Sequence, residues 1–575
     1  MIHGEGNFFH WRKGRSNEER SELPHLEGRG NLSFVTISTA FRRFGTNIAL
    51  VALGAVLFAL AFPSFLSDWG WGVFAWISLV PVVLLIRRIS WWASPLWGAF
   101  YGYVTYALFN FWLATFNPVS FVIVPTIYAG WFFMLFPLLV LADRAFPRRG
   151  WLAQLLLWAA FEVVRTKGFI GYSYGVLGYS QYQWTSLISI SDVFGVMGVG
   201  LLVLFPSFLL GGWLLERNIL VPPQSITKRL VQPHSSRYWM ILGGLWAVLV
   251  LLANLYGWIQ KVDYSDAPTW KPALIQHNVN TWLSGNEAWA NALDKLIEES
   301  EDALLESPDA IIWPETAFVP AIEWHDKYRQ DRKRAEMVRR LKTFLAQQEI
   351  PVILGNNDSE LDAGKKVDYN AVLLFDQDKI VGKYRKIHLV PFSEHFPYAK
   401  IFPQLMEYIE SQGTPLYGKG TEFTTFNLKP WDGPVVSPFI CFEDTFGYLA
   451  RGFVNAGAQV LVNTTNDSWS PEPACAIQHL GMAVFRSVEN RRSSVRATTA
   501  GLTAVIDPNG KIIKKIPPFE QGHIVADVPI YDDETTFYTR FGDWFEVVIL
   551  TASGALVLAG IALLILRKKS DVGEM

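Results

Sequence analysis

Hydrophobic positions along this chain fall into two textures. From residue 46 to 260 they form long runs broken only by short polar loops, and one further run closes the chain at 545–566. Windows of about 19 residues resolve apolar segments at 46–66, 69–87, 91–116, 120–143, 150–165, 193–216, 238–259 and 545–566. A helix needs roughly 20 apolar residues to cross a bilayer. The pattern therefore predicts a polytopic α-helical membrane domain of about eight spans, seven within 46–260 and the last at 545–566. Residues 1–45 read as a polar N-terminal tail, too long for the charged part of a cleaved leader, and 567–575 as a C-terminal tail.

Between 268 and 543 the texture changes. The short runs ALIQHNV from Ala273, AIIWPE from Ala310, PVILGN from Pro351, AVLLFD from Ala371, VVSPFICFED from Val435 and QVLVNTT from Gln459 each end in polar residues and predict buried strands. Helical stretches over Glu287–Leu305 and Lys327–Gln348 separate them, and the turns FDQDKI and IDPNGKI predict hairpins. Strands alternating with helices predict an α/β domain.

Charge sets the orientation. Arg42 and Arg43, then Arg87 and Arg88, then Arg144, Arg148 and Arg149, then Arg217, Lys228, Arg229 and Arg237, and finally Arg567, Lys568 and Lys569 flank every second loop. Lys and Arg near span ends stay in the cytoplasm. Both termini are thus predicted to be cytoplasmic, and the 268–543 domain extracytoplasmic. Over the 575 residues, 50 Lys+Arg balance 52 Asp+Glu, which removes nucleic acid as a partner. Half the residues are hydrophobic and 18% charged, too apolar for a soluble enzyme of this length. The two cysteines, Cys441 and Cys475, cannot form a disulfide framework, and ten histidines without ligand spacing predict no metal and no cofactor.

Three predicted strand ends carry reactive side chains: Glu315 in AIIWPETAF, Lys386 in YRKIHLVPFSE and Cys441 in VVSPFICFEDTF. A thiolate nucleophile needs a base for its proton and a positive or hydrogen-bonding group for the oxyanion. The three can supply these functions. A helix starting just after Cys441 would favour the thiolate and offer the Phe442 N–H to the oxyanion. Taken singly, each residue also has an ordinary reading: a turn glutamate, a solvated lysine, a packed cysteine.

In that order and those strings, the triad resembles the Glu-Lys-Cys set of the nitrilase or carbon-nitrogen hydrolase superfamily. With the membrane segments added, nearly the whole chain resembles the apolipoprotein N-acyltransferase family. Further matching strings are GYSQ at Gly178, HLVPFSEHFP at His388, ENRRSSVRATTAGLTAVIDPNGK at Glu489 and YTRFGDW ending at Trp544. The resemblance implies an αββα sandwich, Glu315 as general base, Lys386 as oxyanion stabiliser and Cys441 as nucleophile. It implies supporting roles for Glu394, Phe442 and Glu443. It further implies a bacterial inner-membrane enzyme that moves an acyl chain from a phospholipid, typically phosphatidylethanolamine, through a cysteine thioester to the N-terminal amine of a diacylglyceryl lipoprotein. The same triad also leaves open a membrane-anchored amidase of a small amide. The chain departs from the family pattern at Phe442, commonly Tyr, at Ser393 in PFSE, and at Asn466–Pro471. A tryptophan early in the domain is expected at the site, with Trp282 and Trp289 both candidates.

Other residues have plainer readings. Cys475 reads as an unpaired thiol in a loop. Glu162 and Arg165, at helical spacing, read as an ion pair anchoring a span at the interface. In the basic cluster Lys379, Lys383, Arg385 and Lys386, only Lys386 has a reason to point inward. The aromatic, Gly-rich loop Thr166–Asp192 reads as interfacial belt, and secondarily as a side entrance for lipid towards Cys441.

Overall fold

The computed structural model describes residues 29–116, 118–217, 219, 234–362, 364–391, 393–396, 404 and 416–573. Most of the predicted tail, the loop charges Lys228 and Arg229, and Phe392 of PFSE lie outside them. The chain divides into two compact units, Met1–Ala49 and Leu50–Met575. In the first, helix begins at Arg29, upstream of the predicted start at 46. All remaining elements belong to the second.

Helices α1 (Arg29–Leu60), α2 (Val80–Arg88), α3 (Ser94–Phe109), α4 (Pro118–Ala145), α5 (Gly150–Val164), α6 (Ser191–Glu216) and α7 (Ser236–Ile259) cover the apolar segments. Among the described residues five helices are long and apolar enough to cross a membrane: Phe41–Leu60 of α1, α4, α6, α7 and Trp544–Arg567 near the C-terminus. The segment 69–87 is interrupted where Gly70 turns with φ 73°. A 3-10 turn at Gly72–Trp76 and the 9-residue α2 follow, so no single helix there matches bilayer thickness. Gly98 and Gly102, one turn apart on α3, permit backbone contact with α4: a Cβ at Gly98 would lie 2.2 Å from the Phe132 carbonyl oxygen.

Strands β1 (Pro272–Gln276), β2 (Ala310–Ile312), β3 (Val352–Asp362), β4 (Lys365–Asp376) and β5 (Lys379–Arg385) build one sheet with β12 (Gly522–Val525), in the order β12-β1-β2-β3-β4-β5. The second sheet orders β11 (Ile512–Ile516), β10 (Thr503–Ile506), β9 (Ser493–Thr498), β8 (Val460–Thr465), β7 (Val435–Ile440) and β6 (Phe426–Asn427). All six predicted strand runs are strands, and both predicted hairpins form, as β4–β5 and β10–β11.

Alternation along the first sheet explains the layering, because successive strand side chains face opposite ways. Ala273, Ile275, Ile311, Leu354 and Leu373 pack under α8 (Asn286–Leu304) and α9 (Arg332–Leu345), through Leu293, Leu296, Val338 and Leu341. Leu274, Ile312, Ile353 and Val372 face the other way, into a core shared with Val436, Val462 and Val495 of the second sheet. Helices α10 (Gly447–Asn455) and α11 (Pro473–Asn490) belong to that second core, which completes an αββα sandwich. The predicted helix Lys327–Gln348 is divided, because Arg329 turns left-handed with φ 53° and Asp331 caps a new start. The C-terminal helix α12 runs unbroken over Trp544–Gly573, through the predicted tail.

Polar contacts join α11 to the apolar helices and to the segments between them. Gln478 donates to the Pro63 carbonyl at 2.8 Å and accepts from the Trp112 indole at 3.1 Å. Arg486 donates to the Tyr179 hydroxyl at 3.1 Å, and Glu489 accepts from the Val196 N–H of α6 at 3.3 Å. Just beyond α11, Arg491 pairs with Asp192 at 2.7 Å, and Asp192 also accepts from Tyr256 of α7 at 3.0 Å.

Candidate active site

Three strand ends converge. Glu315 lies just past β2, Lys386 directly after β5 and Cys441 directly after β7. The Lys386 Nζ sits 3.3 Å from Glu315 Oε1 and 2.9 Å from Glu394 Oε1, with its side chain only 1% exposed. Asn370 of β4 donates to Glu315 Oε1 at 2.8 Å and to Glu394 Oε1 at 2.9 Å, and the Val390 N–H fixes the other oxygen of Glu394 at 2.8 Å. Burial works against the Lys386 charge, yet the Glu315 and Glu394 carboxylates outweigh it and hold the ammonium well above its ordinary range. The lysine is thus a fixed buried cation. Elsewhere in the basic cluster Lys383 pairs with Glu323 and Asp358, and Arg385 with Asp358 and Glu360.

Gly355 of β3 explains how close the backbone of Glu315 can come. A Cβ there would lie 2.6 Å from the Glu315 Cα and 2.4 Å from the Pro314 carbonyl oxygen. Only glycine fits that approach without moving backbone.

Cys441 is half-buried and adopts φ 49°, a left-handed conformation uncommon for a residue with a Cβ. It opens a 3-10 turn, Cys441–Thr445, in which Phe442 comes second. N–H groups in such a first turn have no intrahelical acceptor. The expectation that a helix start would lower the thiol pKa is not met. Burial pushes the Cys441 thiol well above its ordinary range, Glu315 adds to this, and Lys386 opposes it. The thiol therefore rests neutral and depends on a base.

Glu443 links the cysteine and lysine segments. Its Oε1 accepts the Ile387 and His388 N–H groups at 2.7 and 2.9 Å, and its Oε2 accepts that of Ile440 at 2.9 Å. The Tyr384 hydroxyl adds a bond at 2.8 Å. Ile387 adjoins Lys386 and Ile440 adjoins Cys441, so one carboxyl holds both chains. Burial pushes it up to about 7, against the pull of those backbone donors and of Lys386.

Of the two tryptophans, Trp282 joins the loop Asn466–Pro471: its indole donates to the Trp469 carbonyl at 3.2 Å and its ring lies 5.4 Å from that of Trp469. Trp289 instead lies under Arg334 at 4.9 Å. Cys475 stands in the first turn of α11 rather than in a loop, since Pro473 suits a helix start. Both cysteines are free. Glu162 and Arg165 do not pair as expected. Glu162 accepts the Leu177 N–H at 3.3 Å, while Arg165 donates to the Tyr128 hydroxyl at 2.8 Å and to the Tyr174 carbonyl at 2.9 Å.

That arrangement orders the 166–192 loop, whose Tyr174 ring stacks 6.4 Å from Phe442. A cavity of about 450 Å³ lies beside it, lined among others by Phe169, Met197, His388, Lys419, Phe446 and Glu489, while Cys441, Glu315 and Lys386 are not on its wall. Asn370, Tyr384 and the buried set Asp444, Asp467, His479 and Arg496 escaped the sequence reading. Each lies within a run of ordinary strand, turn or helix character, and only the fold brings them to the site. Among the described residues no three His, Cys, Asp or Glu side chains group to hold a metal ion.

Residues 272–533 match the Carbon-nitrogen hydrolase family, and residues 54–209 match the Apolipoprotein N-acyltransferase N-terminal domain. The chain is similar to Apolipoprotein N-acyltransferase 1 of Treponema denticola, with 40% identity over 88% of this chain and 94% of the relative. It is similar as well to Apolipoprotein N-acyltransferase 1 of Treponema pallidum, with 38% identity over 89% and 95%. The solved structure of Saccharomyces cerevisiae Nit3, a member of the nitrilase superfamily, aligns over 46% of this chain and 90% of Nit3 at 21% identity, with a TM-score of 0.34.

Proposed function

The chain belongs to the apolipoprotein N-acyltransferase family, and from that membership and the site geometry we propose that it acylates lipoprotein N-termini through a thioester on Cys441. The observation that carries the mechanism is the buried Lys386 ammonium held between Glu315 and Glu394; its positive charge favours ionisation of the nearby Cys441 thiol. Glu315 takes the Cys441 proton, and the thiolate attacks an ester carbonyl of a membrane phospholipid, phosphatidylethanolamine in the first instance. Lys386 and the Phe442 N–H hold the tetrahedral oxyanion. Collapse of the intermediate breaks the ester C–O bond, Glu315 returns the proton to the leaving oxygen, and a lysophospholipid departs. The free amine of the diacylglyceryl-cysteine then attacks the thioester, Glu315 accepts its proton, and the amide forms as the thiol is restored.

Glu394, Asn370 and Glu443 position these groups. Loop charge supports cytoplasmic termini with the 268–543 domain outside, and family membership supports a bacterial inner membrane. The relatives' names favour this reading over the amidase alternative. The test is the intact mass of the purified protein after incubation with phosphatidylethanolamine. An acyl adduct is expected in the wild type and in Cys475→Ala, reversed by hydroxylamine and absent in Cys441→Ala. No adduct on the wild type with accessible lipid, or an adduct that persists in Cys441→Ala, refutes the proposal.

A further inference from the structure

His479 of α11 is 2% exposed, and both its ring nitrogens face carboxylates. Nδ1 lies 2.9 Å from Asp467 Oδ1 and Nε2 lies 2.7 Å from Asp444 Oδ1. A neutral imidazole has a single N–H, so one of these contacts would set a lone pair against a carboxylate oxygen. The doubly protonated ring donates at both. The fourth charged member is Arg496 of β9, hydrogen-bonded to Asp444 and 3.6 Å from Asp467 Oδ2. Two carboxylates, a guanidinium and an imidazolium make a buried quartet of zero net charge.

The quartet bridges the two segments that surround the nucleophile. Asp444 belongs to the turn Cys441–Thr445. Asp467 belongs to the loop that carries Trp469, two residues past the end of β8, where Thr464 is in register with Ile440. The Asp467 charge opposes ionisation of the Cys441 thiol. Arg496 sits nearer Asp444, so His479 is the cation that chiefly neutralises Asp467. We propose that His479 is a positioning residue for the nucleophile: as a buried imidazolium it ties the Cys441 turn to the Asn466–Pro471 loop and cancels the Asp467 charge that would otherwise resist the thiolate. This rests on the reading of Cys441 as the nucleophile.

The charge balance agrees. Burial would discharge His479, but Asp444 and Asp467 together overcome it and raise the ring to about 9, with Arg496 opposing. The titratable groups facing this cluster are Asp444 from the turn, Asp467 from the loop, Arg496 from β9, the Cys441 and Cys475 thiols, and Tyr174, whose ring lies 6.3 Å from the imidazole.

The experiment measures initial rates of Cys441 alkylation by iodoacetamide at about pH 8 on the full-length protein carrying Cys475→Ala. It compares His479 intact, His479→Gln, and His479→Gln with Asp467→Asn. The single change should slow alkylation roughly tenfold, equivalent to about one unit of thiol acidity, and the added Asp467→Asn should restore it to within about threefold. A His479→Gln protein with a lowered thermal midpoint but an unchanged alkylation rate overturns the inference. So does a double variant as slow as the single. Phospholipid acylation run in parallel separates the two readings, since an alkylation pattern as expected with no wild-type acyl adduct overturns the acyltransferase mechanism alone.

Discussion

Replacing Glu443 by Gln removes one atom's worth of acceptor from a site with 0% exposure, and the consequences follow from the bonds it makes. Because the carboxyl titrates near 7, it is shared at neutral pH between ionised and protonated forms. Both keep a lone pair at Oε2 for the Ile440 N–H. A glutamine whose oxygen serves Ile387 and His388 points its NH2 at Ile440, leaving two donors face to face. An unsatisfied buried N–H costs ~1–3 kcal/mol. The freed bond is the one that fixes the residue before Cys441, while the retained bonds fix the residue after Lys386. The spacing of the proposed nucleophile and cation therefore relaxes, and a misplacement of about 1 Å can cost roughly 100-fold in rate. The expected result is a loss of roughly 100-fold in the rate of acyl-enzyme formation from phosphatidylethanolamine, followed by intact mass, with a lowered thermal midpoint in detergent. A variant that loses thermal stability but acylates within about threefold of wild type would show that Glu443 supports the fold without setting that spacing.

Gly355→Ala should press a methyl group onto the backbone of Pro314, Glu315 and Thr316, none of which can rotate away. It should lower stability by ~1–3 kcal/mol and slow acyl-enzyme formation at least tenfold, checked by thermal unfolding and intact mass; a neutral outcome would place the Glu315 strand end elsewhere. His479 also makes stability pH-dependent. Its pKa rises from 6.5 to about 9 on folding, so its contribution is complete below about 6.5 and is lost as pH rises through about 9. The thermal midpoint should fall over that window in the wild type and stay flatter in the protein carrying His479→Gln with Asp467→Asn.

Six strands and two hairpins of the sandwich were legible because each is a short apolar run ending in turn residues, a local signal, whereas β6, β9 and β12 carry no such run. Glu315, Lys386 and Cys441 were legible as candidates because each lies at a predicted strand end, and the fold brings Glu315 and Lys386 into contact. Apolar segments were legible, five of them as helices long enough to cross a membrane among the described residues, but the helix breaks at Gly70 and Arg329 depend on backbone conformations that no periodicity announces. Glu162 and Arg165 show the same limit: helical spacing permits a pair, yet three acceptors brought by Tyr128, Tyr172 and Tyr174 take the guanidinium instead. His479 was invisible for a related reason. Its two carboxylates come from 35 positions and 12 positions earlier in the chain, and their meeting is a property of sheet register.

Helix α11 is buried from Ala474 to Asn490 except at Cys475, although it carries Gln478, His479, Arg486 and Glu489. Grease tolerates sliding; matched donors and acceptors do not. A shift of the sandwich by one residue against α6 and α7 would strand Arg486, Glu489 and Arg491 without the Tyr179, Val196 and Asp192 partners that offset their desolvation. The seam therefore acts as a gauge that holds the sandwich, and with it the Cys441 turn, at one setting against α6 and α7. Under the proposed acyl transfer, reactants that diffuse within a sheet of lipid would arrive at one height, and a cysteine held at a fixed setting would need no swinging arm to meet them.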